Sequence, residues 1–316
     1  MHRIALLDDH QSAAARFADW SVLPEAVEVV AFADAVADPD ALVARLRGYD
    51  VVVAMRERTA FPRAVLARLP DLRLLVTTGM ANAAIDLAAA AHLGITVCGT
   101  GGHAPATAEL TWALILAVAR TVPAEDASMR AGGWQHTVGR DLAGGTLGVL
   151  GLGRLGAQVA RVGLAFGMDV VAWSTNLTDE RAAEVGVRRV ERDELLRTSD
   201  VVTVHLRLSD RTRGLVGAPE LALMKPTAIL VNTSRGPIVE EAALVEALRA
   251  GRLHGAGLDV YDTEPLPPGS PLRELRRAVL TPHLGYVTER TYEVFWRDVV
   301  ADVAAWLGGE PVRVLA

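Results

Sequence analysis

Three residues of complementary chemistry, Arg235, Glu264 and His283, stand just past apolar runs in the second half of the chain. Their settings are Asn232-Thr233-Ser234-Arg235-Gly236, Gly257-Leu258-Asp259-Val260-Tyr261 followed by Glu264-Pro265, and Thr281-Pro282-His283-Leu284-Gly285. A guanidinium is planar and permanently charged, so it grips a carboxylate or polarises an adjacent carbonyl with a geometry that lysine matches poorly. An imidazole titrates near neutral pH and can give a proton to an oxygen or take one away. A carboxylate near the ring holds it by one nitrogen and fixes its tautomer. Each residue alone has a plainer reading: a surface ion pair for Arg235, a loop carboxylate for Glu264, a satisfied core histidine for His283. Their shared position at strand ends sets them apart, because ligands of open α/β sheets bind at the carboxyl edge.

A second chemical signal precedes them. Leu147-Gly148-Val149-Leu150 runs directly into Gly151-Leu152-Gly153-Arg154-Leu155-Gly156 and then into helix-forming sequence, Ala157 to Phe166. In that context GxGxxG is a pyrophosphate cradle. Gly151 permits a tight turn, Gly153 lets the backbone approach phosphates, and Gly156 lets the helix pack close to the strand, with the amides of its first turn, around Arg154 and Leu155, facing the anion.

The elements that must carry these groups follow from hydrophobic patterning. Short apolar runs alternate with helical stretches along the whole chain, the pattern of parallel sheets wrapped by crossover helices. Ile4-Leu7, Val27-Ala31, Val51-Ala54, Leu74-Thr77 and Thr96-Cys98 are expected strands, with helices over Asp40-Arg47, Pro62-Arg68 and Ile85-His92. A second series has strands at Leu147-Leu150, Asp169-Trp173, Val201-His205, Ala228-Asn232, Gly255-Asp259 and Val279-Thr281, with helices around Ala157, Arg181, Ala218 and Glu240. Six strands is the number a complete dinucleotide fold expects. A long apolar helix, Pro105 to Arg120, joins the two series, and the C-terminal helix Glu289 to Leu307 is expected to return to the first domain.

At 316 residues the chain has room for two domains, each with its own core. The net charge of -6 argues against a nucleic-acid surface, which needs clustered basic residues. No segment reaches the roughly 18 uninterrupted apolar residues of a membrane span. The only cysteine, Cys98, reads as a small buried hydrophobe, and no metal-ligand spacing surrounds it. The cytoplasm is the default placement.

On the glycine motif and the ordered Arg, Glu and His signatures, the chain resembles the D-isomer-specific 2-hydroxyacid dehydrogenases over nearly its whole length. The resemblance implies two doubly wound parallel-sheet α/β domains. A Rossmann dinucleotide-binding domain, residues 99-285, would be inserted into a flavodoxin-like substrate domain, 1-98 plus 286-316, with the active site in the cleft between them. It implies hydride transfer between a nicotinamide and a small 2-oxo or D-2-hydroxy acid, with glyoxylate and hydroxypyruvate as first substrates. Arg235 would hold the 2-oxo acid, Glu264 would orient the base, and His283 would exchange the proton. Asp259 would meet the nicotinamide carboxamide. Thr233 and His205 are further candidate cofactor contacts, whereas His103, His136 and His254 read as structural. The loop Thr77-Thr78-Gly79-Met80-Ala81-Asn82 resembles the family loop whose amides, here those of Met80 and Ala81, receive the substrate carboxylate. The family usually has Asp where Asn82 stands. Arg56 is a candidate to add charge to that pocket, or else a solvated arginine in the run Arg56-Glu57-Arg58.

The cofactor end departs from the NAD pattern. The acid expected after the second dinucleotide strand is replaced by Ser174, with Thr175 and Asn176 following. Nothing there repels a 2'-phosphate, and Arg154 or Arg181 is available to supply charge, so NADP is expected to be accepted and favoured over NAD. A homodimer is expected from the family and from the apolar helix with Trp112 and Trp134. The rival readings are a nicotinamide-sensing corepressor, against which the complete trio weighs, and oxidation of phosphite or D-3-phosphoglycerate. A formate dehydrogenase fits less well, because that branch resembles a Gln-His pairing.

Overall fold

The computed structural model describes residues 1–103 and 105–316, which divide into two compact units, Met1–His103 with Thr288–Ala316, and Ala104–Val287.

The first unit is a five-stranded parallel sheet of β1 (His2–Leu6), β2 (Val27–Ala31), β3 (Val51–Ala54), β4 (Leu74–Thr77) and β5 (Thr96–Gly99), in the order β2-β1-β3-β4-β5. Its central strands β3 and β4 are buried at every residue, which is why they read as unbroken Val, Leu and Ala runs rather than alternating ones. From β1 the chain crosses first to one side and then to the other. The loops after β1 and β3 therefore open at a topological switch point. The C-terminal helix Glu289–Leu307 packs on β4 and β5. Beyond it the last residues lie along β5: Val314 bridges Cys98 in antiparallel fashion, the Leu315 amide donates to the Val97 carbonyl at 2.7 Å, and the Val97 amide donates to the Ala316 carbonyl at 2.7 Å. Cys98 is buried under this edge, and burial pushes its thiol up to about 11.

The second unit is a seven-stranded parallel sheet, β6 (Thr146–Leu150), β7 (Asp169–Trp173), β8 (Arg188–Arg189), β9 (Val201–Val204), β10 (Ile229–Asn232), β11 (Gly255–Leu258) and β12 (Ala278–Leu280), ordered β12-β11-β10-β9-β6-β7-β8. Six of these strands match the sequence reading. The seventh, β8, is two arginines long and pairs with β7 at the sheet edge, too short and too polar to leave a hydrophobic signal. Two helices, Val122–Arg130 and Arg192–Thr198, also go beyond that reading.

The long helix Pro105–Ala119 is a core element of this unit. Gly255 and Gly257 on β11 leave no room for a Cβ, which would stand 2.8 Å from Val118 Cγ1 and 2.9 Å from Leu114 Cβ, so the helix lies directly on the strand. Trp112 stacks on Phe166 at 4.9 Å and donates its indole N–H to the Val159 carbonyl at 3.2 Å. The expectation that Trp112 and this helix supply spare apolar surface for a dimer is therefore corrected: the surface is spent internally. Truncating a fully buried side chain such as Ile115 to alanine costs about 2–5 kcal/mol on general grounds. Among the described residues no helix is long and apolar enough to cross a membrane.

Candidate active site

The carboxyl ends of β10, β11 and β12 carry Arg235, Glu264 and His283, and the second unit brings the three together. After β10 the chain turns through Asn232, whose side chain accepts from the Ser234 amide at 3.0 Å and donates to the Arg235 carbonyl at 2.9 Å. The Ser234 hydroxyl donates to the Leu206 carbonyl, and Arg235 Nη1 donates to the Ser234 carbonyl at 2.7 Å. The next residue decides where this loop rests. A Cβ on Gly236 would lie 2.1 Å from the Tyr261 carbonyl carbon and 2.6 Å from the Asp262 nitrogen, so only glycine lets the Arg235 loop press against the segment leading to Glu264.

Glu264 is held at both oxygens. The Tyr261 amide donates to Oε1 at 2.9 Å, and His283 Nδ1 lies 2.6 Å from Oε2. Burial by itself would raise this carboxyl. The hydrogen bond and charge of His283, the Tyr261 amide and the charge of Arg235 together carry it below the usual carboxylate range. An ionised carboxylate only accepts, so Nδ1 carries the hydrogen in this pair and Nε2 is left for other work.

His283 has φ +55, a left-handed conformation that costs a non-glycine residue on the order of 1–3 kcal/mol and persists only when its surroundings enforce it. Asp259 enforces it. Its carbonyl accepts from the His283 amide at 2.8 Å, and its carboxylate accepts from Thr281 Oγ1 at 2.6 Å, from the Leu284 amide at 2.7 Å and from the Gly285 amide at 2.8 Å. Asp259 is completely buried, and this burial raises its carboxyl despite three hydrogen bonds to it and the charge of His283. Asp259 thus braces the loop that bears the histidine, Oδ1 accepting twice and Oδ2 once. The imidazole also meets Tyr286 edge-on at 5.4 Å.

The glycine motif forms a tight corner. Gly151 has φ +101, and a Cβ there would stand 2.7 Å from the His205 carbonyl oxygen. A Cβ on Gly156 would stand 2.0 Å from the Gly151 oxygen, whereas Gly153 faces open space. The helix Arg154–Ala165 starts at Gly153 with no side-chain cap. An open approach, uncapped amides and a strand-turn-helix corner fit a pyrophosphate. Arg154 is exposed and Leu155 half-buried beside it. His205 Nε2 pairs with Thr203 Oγ1 at 2.9 Å, and burial pushes its imidazole down to about 4, so the ring is neutral at physiological pH. Thr233 is buried, its hydroxyl 2.8 Å from that of Thr111. After β7, Ser174 is half-buried and Thr175 and Asn176 are exposed, with no acid among them. Of the two arginines considered for charge there, Arg181 is engaged by Glu184.

In the first unit, Arg56 has φ +54 and lies against the loop after β4. Its amide donates to Thr78 Oγ1 at 2.9 Å and its Nη1 to the Thr78 carbonyl at 3.0 Å. The alternative of a freely solvated Arg56 is set aside by these contacts. Met80 and Ala81 are exposed at the tip of this loop. Several residues that position these groups escaped sequence reasoning. Asn232 and Ser234 form an Asx-type turn, a pattern that Asn-x-Ser after a strand can signal. Tyr261 and Tyr286 left no such trace.

The family model for the NAD binding domain of D-isomer specific 2-hydroxyacid dehydrogenases matches residues 112–285. A glyoxylate reductase of Aeropyrum pernix is 44% identical over 237 residues, 72% of this chain and 71% of that enzyme. A D-3-phosphoglycerate dehydrogenase of Archaeoglobus fulgidus is 38% identical over 86% of this chain, which spans only 52% of that longer protein. A solved phosphoglycerate oxidoreductase of Vibrio cholerae superposes with a TM-score of 0.92 at 36% identity, covering 98% of this chain and 100% of its own.

Proposed function

This chain belongs to the D-isomer specific 2-hydroxyacid dehydrogenases and is a nicotinamide-dependent oxidoreductase, and from that premise we propose that it reduces a small 2-oxo acid, glyoxylate or hydroxypyruvate first, to the D-2-hydroxy acid. The observation that carries the proposal is the His283–Glu264 pair at 2.6 Å, pressed against the Arg235 loop by Gly236. His283 Nε2 gives its proton to the carbonyl oxygen during reduction and takes it back from the alcohol in reverse. Glu264 holds the ring by Nδ1 so that Nε2 alone faces the substrate. Arg235 binds the 2-oxo acid through its fixed charge.

Gly151, Gly153, Arg154, Leu155 and Gly156 would hold the cofactor pyrophosphate, Ser174, Thr175 and Asn176 the adenosine ribose, and Thr233 and His205 the remainder. When bound, the nicotinamide supplies or accepts the hydride. The absence of an acid at Ser174 and the exposed Arg154 favour NADP over NAD. The amides of Met80 and Ala81, with Arg56, receive the substrate carboxylate. The segment 122–138 carries exposed Val122, Met129, Trp134 and Val138, and it is the surface on which a homodimer would form. Sedimentation of Trp134→Glu as a monomer, against a wild-type dimer, tests that assignment. The cytoplasm remains the proposed location.

The decisive experiment follows NADPH and NADH consumption across 2-oxo acids of graded length, with chiral analysis of the product. Turnover to a D-hydroxy acid is expected, and His283→Ala should lower kcat by about 10²- to 10⁴-fold while cofactor affinity stays as in the wild type. Tight cofactor binding without turnover of any 2-oxo acid would overturn the enzymatic reading.

A further inference from the structure

Asn82 is nearly buried, 7% exposed, and every polar atom of its side chain is engaged. Its Nδ2 donates to the Arg56 carbonyl at 2.7 Å and to Thr77 Oγ1 at 2.8 Å, and its Oδ1 accepts from the Ala84 amide at 2.8 Å. The side chain thus ties the end of β3 to both sides of the loop after β4. Arg56, whose carbonyl it holds, has a left-handed backbone, and its guanidinium lies so close over Gly79 that a Cβ there would be 1.7 Å from Nη1. Gly79 in turn donates its amide to Thr100 Oγ1 at 2.8 Å. Arg56 is therefore fixed at three points by one loop, Thr78 holding its amide and its guanidinium and Asn82 its carbonyl.

We propose that Asn82 is a positioning residue for recognition of the substrate carboxylate, acting through Arg56 and the Gly79–Ala81 loop. The proposal rests on the reading of that loop and Arg56 as the carboxylate receiver. The chemistry requires an amide at this position. One of its three partners, the Arg56 carbonyl, only accepts and needs a donor, another, the Ala84 amide, needs an acceptor, and the Thr77 hydroxyl serves in either role. A carboxylate of the same shape would set oxygen against the Arg56 carbonyl and leave it buried without a partner. That is the physical reason for asparagine where the family resemblance leads one to expect aspartate.

The test is a double-mutant cycle on Asn82→Ala and Arg56→Ala, read as KM for glyoxylate, kcat, NADPH affinity and inhibition by oxalate, a dead-end analogue. Asn82→Ala should raise KM and the oxalate inhibition constant by about tenfold, with kcat within about twofold and NADPH affinity unchanged. In the Arg56→Ala background the same change should add little, because its effect passes through Arg56. Asn82→Asp should be at least as impaired as Asn82→Ala. Independent, additive effects of the two substitutions, or an equal fall in kcat for every substrate with a lowered melting temperature, would assign Asn82 a merely structural role and overturn the inference. If Arg56→Ala alone leaves KM and oxalate inhibition unchanged, the carboxylate reading of the loop is what fails, and the inference falls with it.

Discussion

His283 Nδ1 and Glu264 Oε2 stand 2.6 Å apart across 19 residues of sequence, and the Tyr261 amide holds the other oxygen of the same carboxylate. One side of the imidazole is thereby committed and the other is free for proton exchange. Glu264→Gln keeps the shape and removes the charge, so kcat should fall by about 10²-fold with little change in KM, since orientation of the general acid is what is lost. Because the Glu264 carboxyl lies below the usual carboxylate range in the folded protein, its ionised form and the stability it contributes persist above its unfolded value and are lost only as pH falls through the lower folded value. The acid limb of kcat/KM in the wild type is therefore expected below the ordinary carboxylate range. A limb unchanged in position and height in Glu264→Gln would contradict this role.

Gly236 and Gly153 predict opposite outcomes for the same substitution. Gly236→Ala drives a Cβ into the Tyr261 backbone, so it should lower stability by about 1–3 kcal/mol and cut kcat/KM more than tenfold. Gly153→Ala meets nothing within 4 Å and should leave the melting temperature unchanged while weakening cofactor binding by about tenfold, because the new methyl stands where the phosphates approach. Paired melting curves and cofactor titrations check both.

Ser174→Asp places a carboxylate at the end of β7. It should accept the ribose hydroxyls of NADH and repel the 2'-phosphate of NADPH, moving the ratio of kcat/KM values toward NADH by about 10- to 100-fold. Unchanged selectivity would remove Ser174 from the cofactor contacts.

Asp302, on the C-terminal helix, is completely buried, with Arg313 on Oδ1 at 2.9 Å and no hydrogen-bond partner for Oδ2 among the described residues. Burial pushes its carboxyl up to about 7, the Arg313 charge works against that shift, and the nearby Asp298 adds to it. Its folded value exceeds its unfolded one, so the folded state binds the extra proton and stability declines as pH rises from the ordinary carboxylate range through about 7. The wild type should melt roughly 5 °C lower at pH 8 than at pH 5, and Asp302→Asn should flatten that slope. An equally steep slope in the variant would exclude Asp302 as its source.

Much of the fold was legible because buried parallel strands are continuous apolar runs, as in Val51–Ala54 and Leu74–Thr77. Strand β8 was not, since a two-residue edge strand of arginines carries no hydrophobic period. The residue types of the trio were visible from their motifs. Their meeting was not, because it depends on Gly236 nesting against Tyr261 and on Asp259 forcing His283 into a left-handed turn, both of which are contacts between distant loops. Trp112 was misread because burial turned a group that looked available into one used inside its own unit.

The pairing of Val314 and Ala316 with the Cys98 edge of β5 has a consequence for biosynthesis. The first unit is assembled from two segments far apart in sequence, while the second is drawn from the one continuous stretch between them. On a translating ribosome the continuous unit emerges entire while the other still lacks its last helix and edge, so the amino-terminal sheet, though made first, is the last to be finished.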